Sequence, residues 1–128
     1  KGSRLIVLLG APGGSRDKSH RPIMGQIAAQ LADLVIVSTD EPYNDDPLQI
    51  INEIANAATE AGKTEGTNLF KIPDRREGIT WALSLAKPSD IVIIAGMGAL
   101  QSRMIGNKAV PWDDRVVVRE ELAKFKPG

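Results

Sequence analysis

Three stretches of this 128-residue chain stand at the ends of apolar runs, two of them charged and the third rich in small residues. The first, Gly10-Ala11-Pro12-Gly13-Gly14-Ser15-Arg16-Asp17-Lys18-Ser19-His20-Arg21-Pro22, follows Leu5-Ile6-Val7-Leu8-Leu9 and carries the cations Arg16, Lys18 and Arg21. The second, Asp40-Glu41-Pro42-Tyr43-Asn44-Asp45-Asp46, follows Leu34-Val35-Ile36-Val37 and carries four carboxylates. The third is Gly96-Met97-Gly98-Ala99-Leu100-Gln101. Arginine forks onto carboxylates and an acidic side chain takes an ammonium, so the first two loops facing each other would suit a zwitterion. Glycines and free N–H groups at a helix start would also suit another anion. Gly-x-x-Gly-Gly is neither a dinucleotide fingerprint nor a phosphate loop, so residue types leave an anion site and a tight structural turn both open. Asp40 stands where a strand ends and is the better ligand candidate; Asp45 and Asp46 are explained by helix capping and the helix dipole.

The remaining polar groups read as structural. His20 lies among cations at a helix start and has no triad partner pattern, so a surface role fits it. Asp74-Arg75-Arg76-Glu77 reads as a helix cap with a solvated first turn, Met24 and Met97 as packing, and Trp112 as the prop between a hairpin and the last helix. No nucleophile is paired with a base. The chain has no cysteine and one histidine, which excludes disulfides, thiolate metal sites and histidine clusters. Sixteen basic and sixteen acidic residues cancel, and only five aromatics are present, so no nucleic-acid or membrane partner is expected. The short apolar runs fall far below the ~20 residues of a membrane span. A cytoplasmic binding lobe is the reading, cut from something longer because a core strand follows Lys1-Gly2-Ser3 almost directly.

Strands and helices must alternate to position these loops. Leu5–Leu9 reads as a strand, and Ile23, Ile27, Ala28 and Leu31 give an apolar stripe on a helix starting near Arg21. Leu34–Val37 is a second buried strand. Asp46-Pro47 opens a helix running to about Ala61 with Leu48, Ile51, Ile54, Ala55 and Ala58 inward, and Gly62 stops it. After a strand at Leu69–Ile72, Asp74 caps a helix with Ile79, Ala82, Leu83 and Ala86 inward, ended by Lys87-Pro88. Ile91–Ala95 is the last buried strand. Ser102 to Pro111 forms a hairpin about Gly106-Asn107, and Asp113-Asp114 caps a final helix burying Val118, Leu122 and Phe125. The pattern predicts one α/β domain over residues 1–128, a Rossmann-like three-layer sandwich with a mainly parallel sheet and a small hairpin near the C-terminus. Ligands would sit at the carboxyl ends of its strands.

Taken in order, Leu5 to Gly10, Gly13-Gly14-Ser15-Arg16-Asp17-Lys18, Arg21-Pro22-Ile23-Met24-Gly25, Asp40-Glu41-Pro42, Asp46-Pro47, Ile72-Pro73-Asp74-Arg75-Arg76-Glu77, Gly96-Met97-Gly98 and Trp112-Asp113-Asp114-Arg115 resemble the C-terminal domain of the Mur ligases, most of all the UDP-N-acetylmuramyl-tripeptide synthetases of the MurE type. The resemblance implies an ATP-dependent ligase of peptidoglycan precursor synthesis. ATP and Mg2+ would be bound mainly by domains absent from this chain. ATP would phosphorylate the carboxylate of a UDP-MurNAc-peptide and the incoming amino acid's amine would attack the acyl phosphate. This domain would present the amino acid and close over ATP, and alone would not turn ATP over. By the same resemblance Arg16 would grip the amino acid, Asp40-Glu41-Pro42-Tyr43 would match the Asp-Asn-Pro-Arg specificity motif, and Gly96 to Leu100 would match Gly-Lys-Gly-His-Glu. The implied substrate-binding set is Arg16, Asp40, Glu41, Tyr43, Gly96 and Leu100, with no catalytic or metal-binding residue of its own.

Tyr43, Met97, Ala99 and Leu100 depart from those motifs, which argues against diaminopimelate, while Glu41 could meet a basic side chain. The alternatives are a non-catalytic Rossmann-like module binding a nucleotide or anion, and a ligase relative with a decayed amino-acid site.

Overall fold

A computed structural model describes residues 3–11, 19–95 and 102–124. The elements are β1 (Leu5–Leu9), α1 (His20–Leu31), β2 (Leu34–Val37), α2 (Pro47–Glu60), β3 (Leu69–Lys71), α3 (Arg75–Leu85), β4 (Ile91–Ile94), β5 (Ser102–Ile105), β6 (Lys108–Pro111) and α4 (Asp114–Leu122). β1 to β4 form a parallel sheet in the order β3-β2-β1-β4, and β5 and β6 pair antiparallel in a second, two-stranded sheet. The expected α/β class, parallel sheet and hairpin are all present. Three helix starts are capped by the side chains of Asp46, Asp74 and Asp113, which accept from Leu48, Glu77 and Arg115 N–H. Chain order runs outward from β1 to β3 and then returns to β4 on the other side, so the topological switch point lies between the carboxyl ends of β1 and β4.

Each face of the sheet has its own core. Leu9, Val35, Val37 and Leu69 pack with Ala28, Ala29, Ile51, Ile54 and Ala58 under α1 and α2. On the opposite face Ile6, Leu8, Leu34 and Ile36 pack with Ile79, Ala82 and Val117 of α3 and α4. All four residues of β2 are buried, as a central strand covered on both faces requires. Each large aliphatic side chain so buried contributes about 1.5–3 kcal/mol.

Three inward faces differ from those expected. On α1, Ile23, Ile27 and Leu31 are 51%, 49% and 70% exposed; Ala28 is buried as expected, but its buried companions are Arg21, Gly25 and Ala29. The cause is the close approach of α2: a Cβ on Gly25 would lie 2.1 Å from the Ile54 carbonyl oxygen. Only a face of small residues tolerates that spacing, so the larger aliphatics rotate outward. Leu48, in the first turn of α2, is also exposed and Ile50 takes the inward position. On α4 the buried residues are Asp114, Val117 and Glu121, whereas Leu122 is exposed and Val118 only half-buried. Phe125 lies outside the described residues.

Polar pairing sets that rotation. Arg76 donates to Glu121 at 2.7 Å and to Glu120 at 2.9 Å, and the Thr80 hydroxyl donates to Glu121 at 2.7 Å. The bonds from Thr80, Arg76 and Lys124 hold the Glu121 carboxyl down at about 2. β4 is likewise not a buried strand. It forms an edge of the sheet, α1 and α2 lie over β2 and β3, and Ile91 and Ile93 are left 61% and 44% exposed beside a groove lined by Leu5, Val7, Ile27 and Leu31.

Candidate functional site

The carboxyl ends of β1, β2 and β4 meet at one edge, where Gly10 is needed for the approach. A Cβ there would stand 2.7 Å from the Ser38 carbonyl oxygen and 3.1 Å from Asp40 Cβ. Ser38 is fixed in turn, its hydroxyl donating to the Ile72 carbonyl at 2.6 Å. Asp40 is thereby held in the crook between two strand ends, only 5% exposed.

Arg75 locks this edge from beneath. It is fully buried, and its Nε and Nη2 donate to the two carboxylate oxygens of Asp114 at 2.9 and 2.7 Å. Nη1 donates to the Thr39 carbonyl at 3.2 Å, and Nη2 also reaches the Ala95 carbonyl at 3.1 Å. One guanidinium thus joins the end of β2, the end of β4 and the start of α4. The expectation of a solvated Arg75 is corrected for that reason: a buried carboxylate and two strand-end carbonyls outcompete water for a fork-shaped donor. Trp112 donates its indole N–H to Asp114 at 2.7 Å, and the Arg103 guanidinium lies over the Trp112 ring at 4.3 Å. The same network therefore reaches the hairpin. Trp112 does stand between hairpin and α4, through a hydrogen bond as well as packing.

Burial pushes the Asp40 carboxyl up to about 6. Arg75 and Arg103 act against that rise, while Glu41 and Asp114 add to it. The rest of the acidic loop is clasped by the hairpin. Glu41 accepts from the Met104 N–H at 3.1 Å. Tyr43 adopts φ 54°, uncommon for a residue with a side chain, and its N–H donates to Met104 O at 3.2 Å while its carbonyl accepts from Gly106 N–H at 2.7 Å. Two backbone bonds offset a conformation that costs about 1–2 kcal/mol. Gly106, at φ 60°, makes the tight turn that returns β6 along β5.

Asp40, Glu41 and Tyr43 are therefore brought together at the carboxyl edge, and Arg16, Gly96 and Leu100 lie outside the described residues. Arg21 does meet an anion of the second loop, Asp45 at 3.4 Å, but it is buried between α1 and α2 and bonded also to Glu53 at 2.9 Å. His20 is exposed, as expected. Sequence reasoning missed Arg75, Asp114 and Arg103. Arg75 and Asp114 are 39 residues apart, and no local spacing announces such a pair.

A family profile described as "Mur ligase, glutamate ligase domain" matches residues 1–98. The chain belongs to the Mur ligase family. It is 46% identical over 120 residues to the UDP-N-acetylmuramoyl-L-alanyl-D-glutamate--2,6-diaminopimelate ligase of Brucella melitensis, covering 94% of this chain and 23% of that protein. The UDP-N-acetylmuramyl-tripeptide synthetase of a Roseiflexus species is 39% identical over 125 residues, covering 98% of this chain and 24% of the relative. A solved structure of a UDP-N-acetylmuramoyl-L-alanyl-D-glutamate--2,6-diaminopimelate ligase superposes with a TM-score of 0.81 at 34% identity, covering 97% of this chain and 25% of that one. This Mur ligase chain spans about a quarter of the length of the relatives it matches. The resemblance to the tripeptide synthetases is borne out by these relatives, and the fold of the structural neighbour agrees with the sandwich described above.

Proposed function

We propose that the chain is the C-terminal, amino-acid-presenting domain of an ATP-dependent ligase that extends a UDP-MurNAc-peptide in cytoplasmic peptidoglycan precursor synthesis. The observation that carries this reading is the buried Asp40 carboxyl at the switch-point edge, held by the Arg75 lock within a Mur ligase domain. A carboxylate raised to about 6 is still mostly ionised at neutral pH, and a poorly hydrated one is a strong acceptor for an ammonium group. Arg16, Gly96 and Leu100 join the proposed site on the resemblance alone. Glu41 and Tyr43 serve it chiefly by anchoring the loop to the hairpin, since the Glu41 carboxylate already holds Met104 N–H.

ATP and Mg2+ belong, in this proposal, mainly to the part of the ligase outside this chain. Among the described residues no group of three or more histidines and carboxylates is placed to hold a metal ion. No helix among the described residues is long and apolar enough to cross a membrane. What this domain supplies is orientation: a fixed edge presents the amine of an incoming amino acid to an acyl phosphate formed elsewhere. The test is phosphate release by a full-length ligase carrying this chain, with a UDP-MurNAc-peptide and a panel of common amino acids plus diaminopimelate. One amino acid is expected to stimulate release at least tenfold over the no-amino-acid control. Stimulation by none returns the domain to a nucleotide- or anion-binding module or a decayed ligase.

A further inference from the structure

Two arginines approach the carbonyl of Thr39, and their donors are used very differently. Arg75 engages four of its five N–H groups in bonds of 2.7–3.2 Å. Among the described residues Arg103 makes a single long bond, from Nη1 to Thr39 O at 3.5 Å. Its Nε–H is buried with no acceptor among the described residues. An unmet buried donor is costly, and a guanidinium whose one hydrogen bond among the described residues is long keeps capacity for an acceptor. Arg103 is half-buried rather than sealed, and it stands at the carboxyl edge beside the residue that precedes Asp40.

Its plane is also fixed. The guanidinium stacks on Trp112, Trp112 is pinned by its bond to Asp114, and Asp114 is pinned by Arg75. Antiparallel pairing of Arg103 with Val110 and the clasp of the hairpin on Tyr43 hold its backbone from the other side. Stacking covers a face of the guanidinium and the Nε side is buried, so an acceptor would approach in the plane at the Nη1–Nη2 end, where a carboxylate can take two parallel bonds. Electrostatics point the same way. Burial first, and then the neighbouring Arg75, work against the charge on Arg103, and Asp74, Asp114 and Asp40 offset them without a hydrogen bond between their side chains and Arg103.

We propose that Arg103 is a carboxylate anchor of the amino-acid site, forking onto an acid group of the incoming amino acid while Asp40 takes an ammonium. The inference rests on the ligase reading above and adds a residue to it. Arg103→Met keeps length and apolar contact with Trp112 but removes the fork, and Arg103→Lys keeps a point charge. In the full-length ligase, Arg103→Met is expected to raise the KM of the stimulating amino acid at least tenfold, with the ATP KM within twofold of wild type. Arg103→Lys should recover part of that loss. Analogues in which each carboxylate of the amino acid is replaced in turn by a carboxamide identify the group held. Against one of them wild type and Arg103→Met should become equal.

An unchanged amino-acid KM, equal rises in both KM values, or a defect that persists against every carboxamide overturns the assignment while leaving the ligase reading intact. If wild type responds to no amino acid, the ligase reading fails and this inference falls with it.

Discussion

Arg75 and Arg103 lie in one network but belong to different regions of the molecule. Around Arg75, beneath the sheet edge, acceptors and donors match: a bidentate carboxylate, two strand-end carbonyls and full burial leave the guanidinium almost nothing further to bind. Around Arg103, on the hairpin, the same chemical group is stacked, half-buried and, among the described residues, nearly without acceptors. A matched buried charge holds architecture, whereas an unmatched one at an edge is a means of recognition. Asp40 stands between them, buried like the first and without a side-chain bond from either among the described contacts.

Breaking the matched side has the largest expected effect. Asp114→Ala leaves Arg75 charged and unpaired in the interior and should destabilise the domain by about 3–5 kcal/mol, read from denaturant midpoints. A loss below about 1 kcal/mol would mean that Arg75 finds another partner or water and that the lock is not one.

The next effect is a pH dependence. The folded Asp40 carboxyl is raised from 3.8 to about 6, so the native state holds that proton more tightly than the unfolded chain. Its contribution to stability is therefore greatest below about pH 4 and falls as pH rises through 6, by up to about 3 kcal/mol at 1.36 kcal/mol per unit. Asp40→Asn should remove that slope and stabilise the domain at pH 7.5 but not at pH 4, by chemical denaturation at the two values. Asp90 behaves oppositely. Hydrogen bonds from Arg4 and from Lys87 N–H hold it at about 2, so its contribution is present above about pH 4 and lost as pH falls towards 2.

The smallest effect sharpens the contrast. Arg103→Met, the variant that should impair amino-acid recognition, is expected to change stability by less than about 1 kcal/mol, since one cation–π contact of roughly 0.5–1 kcal/mol is exchanged for a sulfur–aromatic contact. A loss as large as that from Asp114→Ala would place Arg103 in the lock instead.

Much of this was legible in residue order. Apolar β-branched runs, Asp caps and the Gly106 turn gave the elements, and alternation gave a parallel sheet whose carboxyl edge gathers the Asp40 loop. Which side of a helix turns inward was harder to read. Periodicity groups Ile23, Ile27 and Leu31 on one face of α1, but the close helix crossing at Gly25 selects the small face. On α4 ion pairs with Arg75 and Arg76 select Asp114 and Glu121 over Leu122. Arg75 looked solvated because its acceptors come from β2, β4 and α4, none of them near it in sequence. Arg103 carried no signal at all until the hairpin had a place to dock.

The position of β1 has a bearing on how the chain acquires this structure. Within this domain β2 follows β1 closely, but the other neighbour of β1, β4, comes so much later that the clasp between Arg4 and Asp90 closes over 86 residues. Contacts of that span slow folding, because the entropy of closing the loop must be met before the pairing contributes. During synthesis the β1–β2–β3 portion can assemble under α1 and α2 while Ile6, Leu8 and Ile36 on its other face await α3 and α4. Until α3 and α4 follow, that apolar sheet face of the nascent domain is bare, and the later of those two helices is the one that supplies Asp114 to the charge of Arg75.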